Sequence, residues 1–117
     1  HGYPRATRDI DLWLATDSEN ARAALSALED AGYALKVDAI QMLQTDHVVY
    51  RLGEQPLKID LMTSLDGCDW PGAWLRRVPV DVDGVAVPVL SLQDLRAAKR
   101  AAGRPRDLDD LENLPPA

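Results

Sequence analysis

The strongest constraint on how this chain can fold is the alternation in Asp9-Ile10-Asp11-Leu12-Trp13-Leu14. Successive side chains of an extended strand point to opposite faces, so Asp9 and Asp11 stand on one side while Ile10, Leu12 and Leu14 point to the other. Two carboxylates a strand step apart suit a hard divalent cation, and Mg2+ is typically held by one or two carboxylates together with phosphate oxygens. The same spacing also occurs on strand edges that carry charge only to stay soluble and unpaired. A second segment bears on these readings. In Leu57-Lys58-Ile59-Asp60-Leu61-Met62 an acid again emerges from an apolar strand, with Ile59 and Leu61 on the face opposite Asp60. If the two strands are neighbours, three carboxylates converge, and such a cluster repels itself unless cations neutralise it. Two ions about 4 Å apart can activate an attacking oxygen and stabilise a leaving oxygen in phosphoryl or nucleotidyl transfer. The competing reading pairs Asp60 with Lys58 or leaves it in solvent.

The rest of the chain punctuates clearly. Thr16 to Glu19 has capping-box spacing, and Ala21, Ala24, Leu25 and Leu28 follow on one helical face until Gly32 stops the helix. Tyr33 to Val37 reads as a short strand, and the segment through Gln44 shows no clear pattern. His47 to Leu52, a turn at Gly53-Glu54-Gln55-Pro56, and Leu57 to Met62 form one expected hairpin. Val78 to Val82 and Val85 to Leu90 form another about Asp83-Gly84, with Pro79 and Pro88 confining those strands to an edge. Ser91 and Asp94 have cap spacing before Leu92, Leu95 and Ala98, and Gly103 ends that helix. A last helix is expected from near Asp107, burying Leu108, Leu111 and Leu114. Mixed strands and helices without regular βαβ alternation indicate an α+β class.

With 117 residues, 46% of them hydrophobic, the chain reads as one domain over 1–117. A net charge of −6 argues against a basic surface that wraps nucleic acid, although Arg76-Arg77 and Lys99-Arg100 could grip phosphates locally. One cysteine, Cys68, cannot form an internal disulfide, and no apolar run has the length of a membrane span. The expected location is the cytoplasm, with no membrane partner.

These residues carry a resemblance. Gly2-Tyr3-Pro4-Arg5-Ala6-Thr7-Arg8-Asp9-Ile10-Asp11-Leu12, then Lys58-Ile59-Asp60-Leu61, then Lys99 with Arg104-Pro105-Arg106-Asp107-Leu108-Asp109-Asp110-Leu111, resemble the small bacterial nucleotidyltransferase-fold proteins. Those are similar to minimal nucleotidyltransferases and to the nucleotidyltransferase toxins of abortive-infection toxin–antitoxin systems. The resemblance implies a mixed sheet flanked by helices and Mg2+, as a two-ion site, at Asp9 and Asp11 assisted by Asp60. It also implies a nucleoside triphosphate such as ATP whose nucleoside monophosphate passes to a hydroxyl of RNA, protein or a small molecule. An antitoxin partner or a homodimer is a further expectation. The family carries a Gly-Gly or Gly-Ser turn upstream of its Asp-x-Asp; this sequence opens at His1-Gly2 without it, so the domain is expected to be N-terminally incomplete and to hold triphosphate poorly as it stands.

Several other residues have two readings each. Arg5 could bind phosphate or form a surface ion pair, and Arg8, an odd step away, points off the acidic face. Thr7 lies on the carboxylate face and could bond Asp9 or simply pack. Lys99 suits the C-terminal end of its helix whatever its function, and the resemblance adds a phosphate-binding, catalytic role. Asp107 is a natural N-cap for the last helix, and the matching block adds a nucleotide-binding role. His47 is expected to be structural or exposed, Cys68 has no base to activate it, and Trp70 with Trp74 is expected to pack. The alternatives to a transferase are a nucleotide-binding or antitoxin-paired module that transfers nothing, and a metal-dependent phosphodiesterase.

Overall fold

A computed structural model describes residues 9–53 and 58–115. Among them the chain divides at Leu65/Asp66 into two compact units. The first contains β1 (Asp9–Trp13), α1 (Ser18–Asp30), α2 (Ala39–Met42), β2 (Val49–Leu52) and β3 (Lys58–Met62). Its sheet has the order β1-β3-β2, with β1 parallel to β3 and β2 antiparallel to it. The alternation in β2 and β3 places Tyr50, Leu52, Ile59 and Leu61 on one face, where they form a core with Ala21, Ala39 and Leu43 of the helical layer. Ile10 and Leu12 point to the same side but remain 43% and 40% exposed, because β1 lies at the sheet's edge.

Helix α1 begins one residue later than the Thr16 capping box predicts. Asp17 is the N-cap, its Oδ2 accepting from the Asn20 amide at 2.9 Å, while the Asn20 side chain donates to the Ala15 carbonyl at 2.9 Å. Aspartate is the stronger N-cap of the two candidates, and it takes the position. At the other end the Gly32 amide donates to Glu29 O and the Tyr33 amide to Leu28 O, the paired bonds that close a helix through a left-handed glycine. The short strand expected over Tyr33 to Val37 does not form. Tyr33 and Leu35 pack on the core, Val37 is fully exposed, and the Lys36 amide is satisfied by the Tyr50 hydroxyl at 2.9 Å instead of by a ladder. The β2–β3 hairpin forms as expected. Gly53 opens its turn with φ +79°, and the predicted turn residues 54–56, with position 57 at the expected start of the return strand, lie outside the described residues.

The second unit contains α3 (Trp70–Leu75), β4 (Val78–Val82), β5 (Val85–Val89), α4 (Leu92–Ala102) and α5 (Pro105–Asn113). Asp83 (φ 50°) and Gly84 (φ 84°) supply the two left-handed residues of a tight hairpin turn, and Pro79 faces Pro88 in a two-stranded sheet. Ser91 caps α4: its Oγ accepts from the Asp94 amide at 3.1 Å and donates to Asp94 Oδ2 at 2.9 Å. Asp94 is buried, and Arg76 at the end of α3 answers it with Nη2 at 2.8 Å and Nε at 3.0 Å. That guanidinium, outweighing burial, holds the Asp94 carboxyl below the usual carboxylate range. α5 starts at Pro105, two residues before the expected position. Its buried side chains are Asp107 and Asp110, whereas Leu108, expected inside, is 49% exposed. The 3.6-residue period explains this, since Asp107, Asp110, Leu111 and Leu114 share one face and Leu108 falls beside it.

Gly67 joins the loop to α4. At φ +85° it sits where an added Cβ would lie 2.7 Å from the Ala97 carbonyl oxygen and 2.9 Å from Ala101 Cβ, whereas Gly84 (φ +84°) meets nothing within 4 Å. Gly84→Ala should cost about 1 kcal/mol for the left-handed backbone alone. Gly67→Ala should cost about 3 kcal/mol, because overpacking adds to the same backbone strain. Denaturant titration of the two variants checks the difference. The depressed Asp94 pKa predicts stability that is fully present above the ordinary carboxylate range and is lost as pH falls below about 4. Asp94→Asn should therefore cost about 2 kcal/mol at pH 7 and flatten the acid limb of a stability–pH curve.

Candidate functional site

The face of the first sheet opposite the core carries the acids. Parallel pairing of β1 with β3 sets Asp9 beside Lys58, Asp11 beside Asp60 and Trp13 beside Met62; antiparallel pairing of β2 sets Arg51 on the other flank of Asp60 and Val49 beside Met62. One lateral row therefore reads Asp11, Asp60, Arg51, with Asp9 one strand step from Asp11. The two acid-bearing strands are neighbours, and their register puts the carboxylate-bearing positions on one side. Asp9 and Asp11 are exposed and Asp60 is half-buried. The competing expectation that Asp60 pairs with Lys58 is replaced by a different cation, since Arg51 Nε lies 3.5 Å from Asp60 Oδ1.

Asp9, Asp11 and Asp60 are the residues that could hold a divalent cation. Their donors are all carboxylate oxygens, the chemistry Mg2+ takes, and Mg2+ usually completes its octahedron with water and phosphate oxygens. Among the described residues no three His, Cys, Asp or Glu side chains are gathered closely enough to hold an ion by themselves.

The other sequence-predicted residues fall elsewhere. Arg5 and Thr7 lie outside the described residues, as does Arg8. Lys99 and Asp107 belong to the second unit, where they meet each other. Lys99 Nζ is 2.9 Å from Asp110 Oδ2 and 3.5 Å from Asp107 Oδ1, so its ammonium is held between two buried carboxylates. Asp107 is not the N-cap but the third residue of α5. Its Oδ2 accepts from the Arg104 backbone amide at 3.2 Å and from Arg104 Nε at 2.6 Å, and Arg104 is the capping residue. Asp107 is fully buried, yet the Arg104 hydrogen bonds keep its carboxyl below the usual range despite that burial. The cluster is a compact store of paired charge, and Lys99 is its central cation.

Sequence reasoning missed Arg51, Asp110 and the Arg76–Asp94 pair. Arg51 could have been found by counting the hairpin register back from Asp60, and Asp110 by extending the helical face from Asp107. Arg76, counted as a possible phosphate grip, is spent on Asp94. Arg77 lies over the Trp74 ring, 4.1 Å from its centroid, and Trp74 stacks on Trp70 with centroids 5.6 Å apart, so the two tryptophans pack as expected. His47 is exposed beside Ser64, and the Cys68 thiol, donating to the Asp94 carbonyl at 3.3 Å, is pushed up in pKa by burial and by Asp94. A raised thiol pKa leaves little thiolate, which agrees with the absence of an activating base near Cys68 in the sequence.

Among the described residues no helix is long and apolar enough to cross a membrane. The chain has no significant match among curated proteins or among solved structures. One family's sequence profile, described as "Nucleotidyltransferase of unknown function (DUF6036)", matches residues 1–114. That span includes both carboxylate strands and the Lys99 and Asp107 segment, and the mixed sheet expected from the resemblance is found in the first unit. The chain therefore belongs to the family of nucleotidyltransferases of unknown function (DUF6036).

Proposed function

We propose that this protein transfers a nucleoside monophosphate from a nucleoside triphosphate to an acceptor hydroxyl with the help of Mg2+. The observation that carries the proposal is the parallel register of β1 and β3, which sets Asp11 beside Asp60 with Asp9 one step away. Bound Mg2+ would polarise the α-phosphate and offset the charge that develops on the leaving oxygen. Asp9 and Asp11 would hold it, with Asp60 on the same carboxylate side.

The acceptor's hydroxyl oxygen attacks the α-phosphorus. A new O–P bond forms, the bond to the bridging oxygen breaks, and pyrophosphate leaves with that electron pair. Asp60 takes the hydroxyl proton, a role open to a half-buried carboxylate at the end of the acidic row. Lys99, held between Asp107 and Asp110 within the second unit, is proposed as a phosphate-binding residue on the strength of the resemblance alone. Arg5 and Thr7 are proposed as supporting nucleotide contacts, whereas Asp107, expected to be one, is fully buried on Arg104 and Lys99 and serves the second unit's helices. RNA and protein hydroxyls are the acceptors favoured, in the setting of a cytoplasmic toxin–antitoxin pair or a homodimer. The second reading, a nucleotide-binding or antitoxin-paired module without turnover, draws support from the Arg51–Asp60 ion pair, which occupies the proposed base.

The test uses protein expressed from its full reading frame, each of the four nucleoside triphosphates labelled at the α-phosphate, Mg2+ and a cell extract. Label is expected on RNA or protein, and Asp9→Ala/Asp11→Ala should reduce it at least about 100-fold, the scale of losing preorganised charge stabilisation. Label released as free nucleoside monophosphate would mean hydrolysis. Binding of nucleotide with no label on any acceptor would sink the transferase reading and leave the binding module.

A further inference from the structure

The described arginine–aspartate pairs are of two kinds. Arg76 meets buried Asp94 through three contacts of 2.8 to 3.2 Å, and Arg104 meets buried Asp107 at 2.6 Å; both fix local structure. Arg51 and Asp60 differ. They make one contact at 3.5 Å, and the Arg51 side chain is 79% exposed. Such a pair contributes little to stability and is easily broken. Its place matters more than its strength. Asp60 stands in the row between the Asp11 position and Arg51, so a carboxylate is its neighbour on one side and a guanidinium on the other. Like charges directly opposite each other repel and unlike ones attract, so the arginine offsets the negative charge of the row while no cation is present.

A divalent cation taking Asp60 would displace that guanidinium. Arg51 also lines a pocket of about 300 Å³ with Lys36, Met42, Val49 and Tyr50, beside the row rather than within it. The arginine fork matches phosphate oxygens, and it adjoins the row in which the cation would sit.

Resting on the metal-dependent transfer argued above, we propose that Arg51 is the exchange partner of Asp60. It neutralises the carboxylate while no cation is bound, and on cation binding it passes to the triphosphate oxygens. The exchange makes cation and triphosphate help each other to bind, since each removes the partner that the other's ligand would have to leave. Arg51 is thus a substrate-binding residue in the loaded site and a competitor of the metal in the empty one.

Binding measurements on the full chain test this without turnover. Mn2+ is titrated alone, followed by the relaxation of water protons, and inorganic tripolyphosphate is titrated separately by calorimetry in chelator. Arg51→Ala should tighten Mn2+ about threefold, the range of an exposed ion pair, and weaken tripolyphosphate about tenfold. Arg51→Lys should leave Mn2+ near the parent value while still weakening tripolyphosphate, because the charge stays and the fork is lost. Asp60→Asn should tighten tripolyphosphate, and adding Arg51→Ala should erase that gain. Shifts of the same sign in both titrations, or no shift in either, would overturn the proposal, and circular dichroism of each variant confirms that it is folded. Asp9→Ala/Asp11→Ala separates the two readings. If it leaves Mn2+ affinity unchanged, the metal-dependent transfer itself falls and Arg51 with it; if it abolishes Mn2+ binding while the arginine variants behave as the parent, only the role of Arg51 falls.

Discussion

The parallel ladder between β1 and β3 is the constraint on which the site depends. It joins two segments far apart in the chain and does so in one register, Asp11 to Asp60. Side chains alternate with period two, so a slip of a single residue would set Asp11 beside Ile59 or Leu61 and turn the acid of one strand to the opposite face from that of the other. The apolar face prevents the slip. Ile59 and Leu61 are buried against α1 and α2 and can exchange faces with Lys58 and Asp60 only by exposing the core. Burial on one side of the sheet therefore fixes the geometry of charge on the other.

The two units handle their acids in opposite ways. In the second, Asp94, Asp107 and Asp110 are buried and kept charged by arginine or lysine partners, and among the described residues no buried side-chain nitrogen or oxygen lacks a hydrogen bond. Removing one partner from such a pair leaves an uncompensated buried charge, so these groups hold α3, α4 and α5 in place. In the first unit the acids face solvent, and Asp60 has a loose, exposed cation beside it. The contrast separates acids buried in paired clusters from acids on an exposed sheet face, and Lys99 is a partly exposed cation tied to two of the buried ones.

Much of the fold was legible because local chemistry specified it. The alternation in Asp9 to Leu14 and Leu57 to Met62 marked both strands, Asp83-Gly84 marked a hairpin turn that needs two left-handed residues, and Ser91 with Asp94 marked a helix start. Errors arose where two local signals competed or where a neighbour decided. Thr16 and Asp17 both qualify as caps, and the better acceptor took the place. Tyr33 to Val37 alternates like a strand, yet a tyrosine hydroxyl from β2 satisfies its backbone. Leu108 reads as core, but the helix buries Asp107 and Asp110, a choice possible only because Arg104 and Lys99 are there to pair with them.

The sequence by itself determined which residues bear carboxylates on polar strand faces, since strand periodicity is local and Asp9, Asp11 and Asp60 each interrupt an apolar run. It also carried the family's pattern along nearly its whole length. Only the tertiary structure decided which strands are neighbours, in which direction and register they run, and therefore that Asp11 and Asp60 share a row with Arg51. It likewise decided that Lys99 spends its charge on Asp107 and Asp110. The physical reason is that pairing between distant segments is selected by burial of the opposite face and by where each cation finds a carboxylate, and neither quantity is a property of any short stretch of chain.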